Sequence, residues 1–196
     1  GSTWSGVGSL FYREVYSFAV HDAGSGPELY SGGRFSAPTG DYYVGRWNGL
    51  EWEQVGDVGT FVTDRVYALA SYQTGAGPVL VAGGEFDYPS QGIAQWNGTD
   101  WSGVEFGVNG RVNALAVHES ANGAELFVAG EFTECNGEPA DGLARWDGST
   151  LTPERTGYWG QLYALAEYDD GNGPVLYVGG DGTSGPGTGL RKWQQG

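Results

Sequence analysis

The sequence has no methionine, one cysteine, two histidines and one lysine, and each shortage excludes something. A single cysteine, Cys135, rules out an intrachain disulfide, and a free thiol in a loop reads as incidental. Two histidines, His21 and His118, leave little from which to build a transition-metal centre. Lys192 and eight arginines stand against 24 acidic residues, giving a net charge of −15. A surface this acidic repels phosphates and anionic lipids, so no nucleic-acid or membrane partner is expected. No apolar run approaches the length of a membrane-spanning helix. No secretion signal is present in the residues given, and Gly1-Ser2 with no methionine anywhere reads as a tag-cleavage scar on an excised domain or mature chain.

Glycine, in contrast, accounts for 37 of 196 residues, and aromatics for 14%, eight of them tryptophan. Disordered chains are poor in aromatics, and no Gly-X-Y period suggests collagen. Glycine supplies the positive φ of tight turns and aromatic rings suit pleated surfaces, so many short strands with close turns are expected.

The strands recur. VYSFAV begins at Val15, VYALAS at Val66, VNALAV at Val112 and LYALAE at Leu162. A second anchor, the small pair Gly32-Gly33, Gly83-Gly84, Ala129-Gly130 and Gly179-Gly180, steps by the same intervals of 51, 46 and 50 residues. Trp47, Trp96, Trp146 and Trp193 form a third anchor; Trp52, Trp101 and Leu151 form a fourth. Each unit of about 49 residues reads as four strands. The first is largely apolar and buried on both faces. A Gly-, Asn- and Pro-rich turn leads to the second strand, which ends on the glycine pair. The third ends on tryptophan, and Asn48-Gly49, Asn97-Gly98 or Asp147-Gly148 predicts a two-residue type I′ turn into the fourth.

The whole chain, 1–196, is therefore expected to be one all-β domain, a four-bladed β-propeller. The blades run over about 15–56, 66–105, 112–155 and 162–196, the last completed by residues 3–8. Trp4-Ser5-Gly6-Val7-Gly8 matches Trp52-Glu53-Gln54-Val55-Gly56, and the last unit lacks its own fourth strand. Pairing the two would leave no exposed sheet edge. Closure within one chain, as in haemopexin-like domains, needs no concentration-dependent step and is the simpler expectation. A homodimer forming an eight-bladed ring from two chains is the alternative.

The pattern L-Y-V-G-G-x-F, a variable loop, then I-A-x-W-x-G-x-x-W resembles the kelch-like and WD-like propeller repeats of large secreted bacterial proteins. It is carried by Leu29–Phe35, Leu80–Phe86, Leu126–Phe132 and Leu176–Asp181 with the tryptophan pairs, and covers essentially the whole chain. Asp181-Gly182, Leu151 and Ala124 depart from it. The resemblance implies an extracellular protein, but its relatives include enzymes, lectins and scaffolds, and fold does not fix function.

The residues argue against catalysis. The copper oxidases of this kind need converging ligands, whereas His21 and His118 fall in the first and third units, opposite one another in a four-bladed ring. Cys135 has no histidine partner in sequence or repeat position. Glu85, Glu131 and Asp181 occupy one repeat position, with Arg34 as the fourth equivalent; they are weak metal candidates, a salt-bridged ring or solvated loops being the alternatives. The Asp169-Asp170-Gly171-Asn172-Gly173 run lacks the spacing of a calcium loop. No cofactor is implied. The repeated tryptophans read as core. Loop aromatics that break the repeat, Tyr42, Tyr43, Tyr88, Tyr158 and Trp159, are the ligand-binding candidates, since variable loops on a rigid frame carry specificity. The expected function is a non-catalytic binding, interaction or scaffold domain whose partner is a protein or a glycan, lectin-like in the latter case.

Overall fold

The computed structural model describes residues 2–8, 14–37, 40–56, 65–120, 123–155, 157, 160–181 and 189–193. It is all-β, with no helix among these residues. The first sheet contains β1 (Glu14–His21), β2 (Glu28–Ala37), β3 (Gly40–Trp47) and β4 (Trp52–Gln54); the second, β5 (Arg65–Thr74), β6 (Gly77–Glu85), β7 (Ile93–Trp96) and β8 (Trp101–Gly103). The third sheet begins with β9 (Arg111–Ser120) and β10 (Gly123–Glu131). A two-stranded ribbon, β11 (Glu134–Cys135) with β12 (Glu138–Pro139), precedes its β13 (Leu143–Trp146) and β14 (Leu151–Glu154). The fourth sheet has β15 (Leu162–Asp169), β16 (Pro174–Gly180) and β17 (Leu190–Trp193). Every sheet is an antiparallel meander in chain order.

Each first strand carries a bulge, skipping register at Tyr16, Tyr67, Asn113 and Tyr163. A bulge leaves one residue unpaired and re-aims its side chain. It also explains the glycine pair. A methyl group at Gly84 would run into the carbonyl oxygen of Arg65 beside the bulge. The preceding glycine faces the next sheet: a methyl at Gly32 would lie 2.7 Å from Val66 Cγ1.

The sheets stack through their first strands, β1 on β5, β5 on β9 and β9 on β15. The core accordingly forms three layers. Tyr30, Val44, Val66, Leu69 and Leu80 fill the first junction. Tyr72, Val81, Val112, Leu126 and Trp146 fill the second. Phe127, Ala129, Leu162 and Leu176 fill the third. The repeated tryptophans pair within sheets, across neighbouring strands. Trp47 packs on Trp52 and Trp96 on Trp101, with ring centroids 5.5 Å apart in both pairs.

The connections after Trp47, Trp96 and Trp146 differ from the expected two-residue turn. They are four-residue loops, Trp47 pairing directly with Trp52. Asn48 Oδ1 accepts the backbone N–H groups of Leu50 and Glu51, both at 2.9 Å, and Gly49 alone takes a positive φ. The side-chain carbonyl of Asn48 thus substitutes for the second left-handed residue a type I′ turn requires.

Among the described residues β17 is bonded to β16 alone, and residues 2–8 form no strand. That segment lies against the first sheet. Trp52 Nε1 donates to the Val7 carbonyl at 3.2 Å, just as Trp101 Nε1 donates to the Val55 carbonyl at 3.1 Å.

Candidate functional site

The bulges direct Tyr67, Asn113 and Tyr163 to one rim of the stacked sheets. Tyr67 donates its hydroxyl to Glu85 Oε2 at 3.2 Å, and Asn113 Nδ2 donates to Glu131 Oε1 at 3.2 Å. Tyr163 reaches Asp181 Oδ2 at 3.4 Å, and the backbone N–H of Gln161 donates to Asp181 Oδ1 at 2.6 Å. Arg65 lies 3.4 Å from Glu85, while Arg111 spans both acids, 3.6 Å from Glu85 and 3.3 Å from Glu131. The Arg111 guanidinium also covers the Tyr67 ring, 5.1 Å from its centroid. Arg65, Glu85, Arg111 and Glu131 therefore form a row of alternating charge, and Asp181 continues the rim on the neutral partners Tyr163 and Gln161. No group of three or more His, Cys, Asp or Glu side chains able to hold a metal occurs among the described residues. Half-exposed pairs of this kind contribute up to about 1 kcal/mol each; their main effect is to fix the rim.

The loop aromatics separate sharply. Tyr42 is buried against Phe35, ring centroids 5.2 Å apart, because β3 turns it inward; it presents no surface to a ligand. Tyr43 is half-buried against the first core layer. Tyr158 and Trp159 lie outside the described residues. Tyr88 is 60% exposed.

Phe106, 81% exposed, lies on the loop beside that of Tyr88. The two loops are joined by a bridge between Gln91 and Gly107, with Val108 N–H donating to the Gln91 carbonyl at 2.9 Å. A third loop locks onto them. Asn136 N–H donates to the Gly107 carbonyl at 2.8 Å, and Asn136 Nδ2 to Glu105 Oε2 at 3.1 Å. Asn109 Oδ1 accepts the N–H groups of Thr133 and Glu134, both at 2.9 Å. Glu105 and Asn136 are the two non-glycine residues with positive φ among the described residues, at 49° and 53°. Such conformations persist where surrounding bonds over-determine them, and they gather at binding sites. The result is a hydrogen-bonded platform with two aromatic rings in solvent. Tyr88 was legible as a loop aromatic; that its loop is joined to the loop of Phe106 depends on the Gln91–Gly107 bridge, which no sequence signal announces.

A separate cleft of about 570 Å³ opens between the first and second sheets, lined by Glu28, Tyr30, Arg46, Gln54 and Trp96 among others. Arg46 there is held by Glu53 at 2.7 Å and Glu28 at 3.5 Å.

Both histidines are buried at junctions between sheets. His21 Nδ1 lies 2.9 Å from Ser71 Oγ, and His118 Nδ1 donates to Glu167 Oε2 at 2.7 Å. Burial lowers the His21 pKa from its ordinary value, partly opposed by the Asp22 and Glu28 carboxylates. Cys135, read from sequence as an incidental loop thiol, is fully buried in the second core layer. Burial, reinforced by Glu105, pushes its pKa up to about 12, so it is no nucleophile near neutral pH. The Asp169 turn is a hairpin turn: Asp169 Oδ1 accepts the N–H groups of Gly171 and Gly173 at 2.7 and 3.0 Å.

In comparisons with known proteins, the chain matches no family model, no curated protein and no solved structure.

Proposed function

We propose that the four sheets are blades of a β-propeller and that the chain is a non-catalytic extracellular binding domain, with a glycan or protein ligand on the platform bearing Tyr88 and Phe106. The extracellular setting follows from the resemblance to secreted bacterial repeat proteins. The propeller reading is supported by the recurrence of one four-stranded meander and one mode of stacking. The binding reading rests on a single observation: two aromatic rings stand in water on loops that are hydrogen-bonded to each other. Rigid aromatic surface gives contact area at little entropic cost, and sugars and protein side chains both stack on it. Glu105, Asn136 and Asn109 supply polar groups beside it.

The test is a glycan array and a pull-down with sequenced partners, followed by Tyr88→Ala and Phe106→Ala. Loss of binding in both variants with unchanged melting temperature supports the platform. A ligand that binds both variants as well as the parent moves the site elsewhere, and turnover of any substrate would remove the non-catalytic reading.

A further inference from the structure

The second junction contains a socket. The Tyr72 ring of the second sheet lies 5.4 Å from Trp146 of the third, and its hydroxyl donates to the Ala124 carbonyl at 2.8 Å. Val117 and Leu126 belong to the same layer, and Gly148 abuts Thr74. The repeat equivalents of Val117, Ala124, Leu126, Trp146 and Gly148 in the first unit are Val20, Pro27, Leu29, Trp47 and Gly49. Those residues line an open cleft of about 470 Å³ on the outer face of the first sheet. The equivalent of Tyr72 in the fourth unit is Tyr168, which is 60% exposed on the outer face of the fourth sheet. One end of the stack has an unfilled socket and the other an unseated tyrosine.

The remaining parts of the junction match in the same register. Val66, Val112 and Leu162 are buried to 3% exposure or less, whereas their first-unit equivalent, Val15, is 36% exposed and Phe18 beside it 58%. The glycine that receives these side chains faces Val66 at Gly32 and Val112 at Gly83, but at Gly179 a methyl group would meet only its own sheet. Residues 4–8 hold the position relative to Trp47 and Trp52 that a fourth strand of a preceding sheet would hold. Trp4 is nevertheless 101% exposed and Val7 56%, while their equivalents Trp52 and Val55 are 4% and 8%.

The units also alternate. Odd units carry His21 and His118, Glu28 and Glu125, Arg46 and Arg145; even units carry Tyr72 and Tyr168, Val79 and Val175. The fourth unit is even, so its natural successor is a copy of the first. Among the described residues the first and fourth sheets of one chain are not packed together.

Resting on the propeller reading, we propose that two copies of the chain join head to tail. Tyr168 of each fills the Trp47 cleft of the other and donates its hydroxyl to the Pro27 carbonyl, while residues 4–8 of each lie along the side of β17 of the other that faces away from β16. In such a closed pair both junctions are identical and no end is left open.

Light scattering over a range of concentrations, with Val20→Asp, Tyr168→Asp and their equimolar mixture, tests this. Both residues are exposed in the single chain, so neither substitution disturbs its core. The expected result is twice the chain mass for the parent, the single mass for each variant, and recovery of the double mass on mixing, because one junction is then unaltered. A pair that persists in both variants overturns the proposal. So does a parent of single mass, and melting then separates two cases. If both variants lower the melting temperature, the ends meet within one chain and the propeller reading stands without a second copy. If neither does, the ends stay open and the propeller reading fails too.

Discussion

The hydroxyl of Tyr72 reaches 2.8 Å across from the second sheet to the carbonyl oxygen of Ala124 in the third. The ring is 3% exposed and packs on Trp146, so this one side chain contributes both a hydrogen bond and apolar burial to the junction. Tyr72→Phe removes the hydrogen bond alone and is expected to cost about 1 kcal/mol. Tyr72→Ala also removes the ring and is expected to cost about 3–5 kcal/mol. Urea unfolding of the two variants measures the difference; equal losses would mean that the ring contributes nothing beyond its hydroxyl.

Gly84 and Gly75 are expected to respond oppositely to alanine. A methyl at Gly84 meets the Arg65 carbonyl at the bulge, and overpacking of this kind costs about 1–3 kcal/mol. At Gly75 a methyl meets nothing, and the lost freedom of the unfolded chain makes alanine neutral or stabilising by up to about 1 kcal/mol. Thermal melts of Gly84→Ala and Gly75→Ala should move apart; coincident melts would remove the bulge as the reason for the glycine.

Stability is expected to fall as the pH drops below 6.5, partly through His21. Burial keeps its folded pKa below 6.5, so in that range the unfolded chain takes up the proton while the folded one does not. The contribution is complete above 6.5 and is lost progressively below it. Asp147 acts at lower pH. The Thr150 backbone N–H holds its carboxyl below 3.8, so its contribution is present above 3.8 and disappears as the pH falls further. Urea midpoints between pH 5 and 8 should show a shallower slope for His21→Gln than for the parent. An unchanged slope would dissociate His21 from the acid sensitivity.

Cys135 should be silent to thiol reagents. With no exposed surface and a pKa near 12, it should stay unmodified at pH 8 in the native protein and react fully in denaturant. Rapid native labelling would place the thiol outside the second core layer.

The sequence revealed the strands and their repetition because each unit restates the same signals: a largely apolar first strand, a small-residue pair and a tryptophan before the loop. Burial of that strand on both faces does not follow, since β1 and β15 are mostly exposed. Every strand around Val66, Leu80, Ile93 and Trp101 could be read from such signals. The turn after Trp47 could not, since Asn-Gly serves a four-residue loop as readily as a two-residue one, and only the reach of Asn48 Oδ1 to the next N–H groups decides. The candidate site was half legible. Tyr88 stood out as an aromatic in a variable loop, but Tyr42 did too and is buried, because β3 starts as early as Gly40 and turns it onto Phe35. The rim was visible as three acids at one repeat position. Its cations were not, since Arg65 and Arg111 reach it only through the geometry of the bulge.

The division of the core into three layers has thermodynamic and evolutionary consequences. No sheet owns a core; each shares one with its neighbour, so stability is a sum over adjacent pairs and a lone unit should not fold. Duplicating an odd–even pair of units would add complete interfaces without altering any existing one. Selection can therefore change the length of such a chain more cheaply than it can change the residues at a single interface.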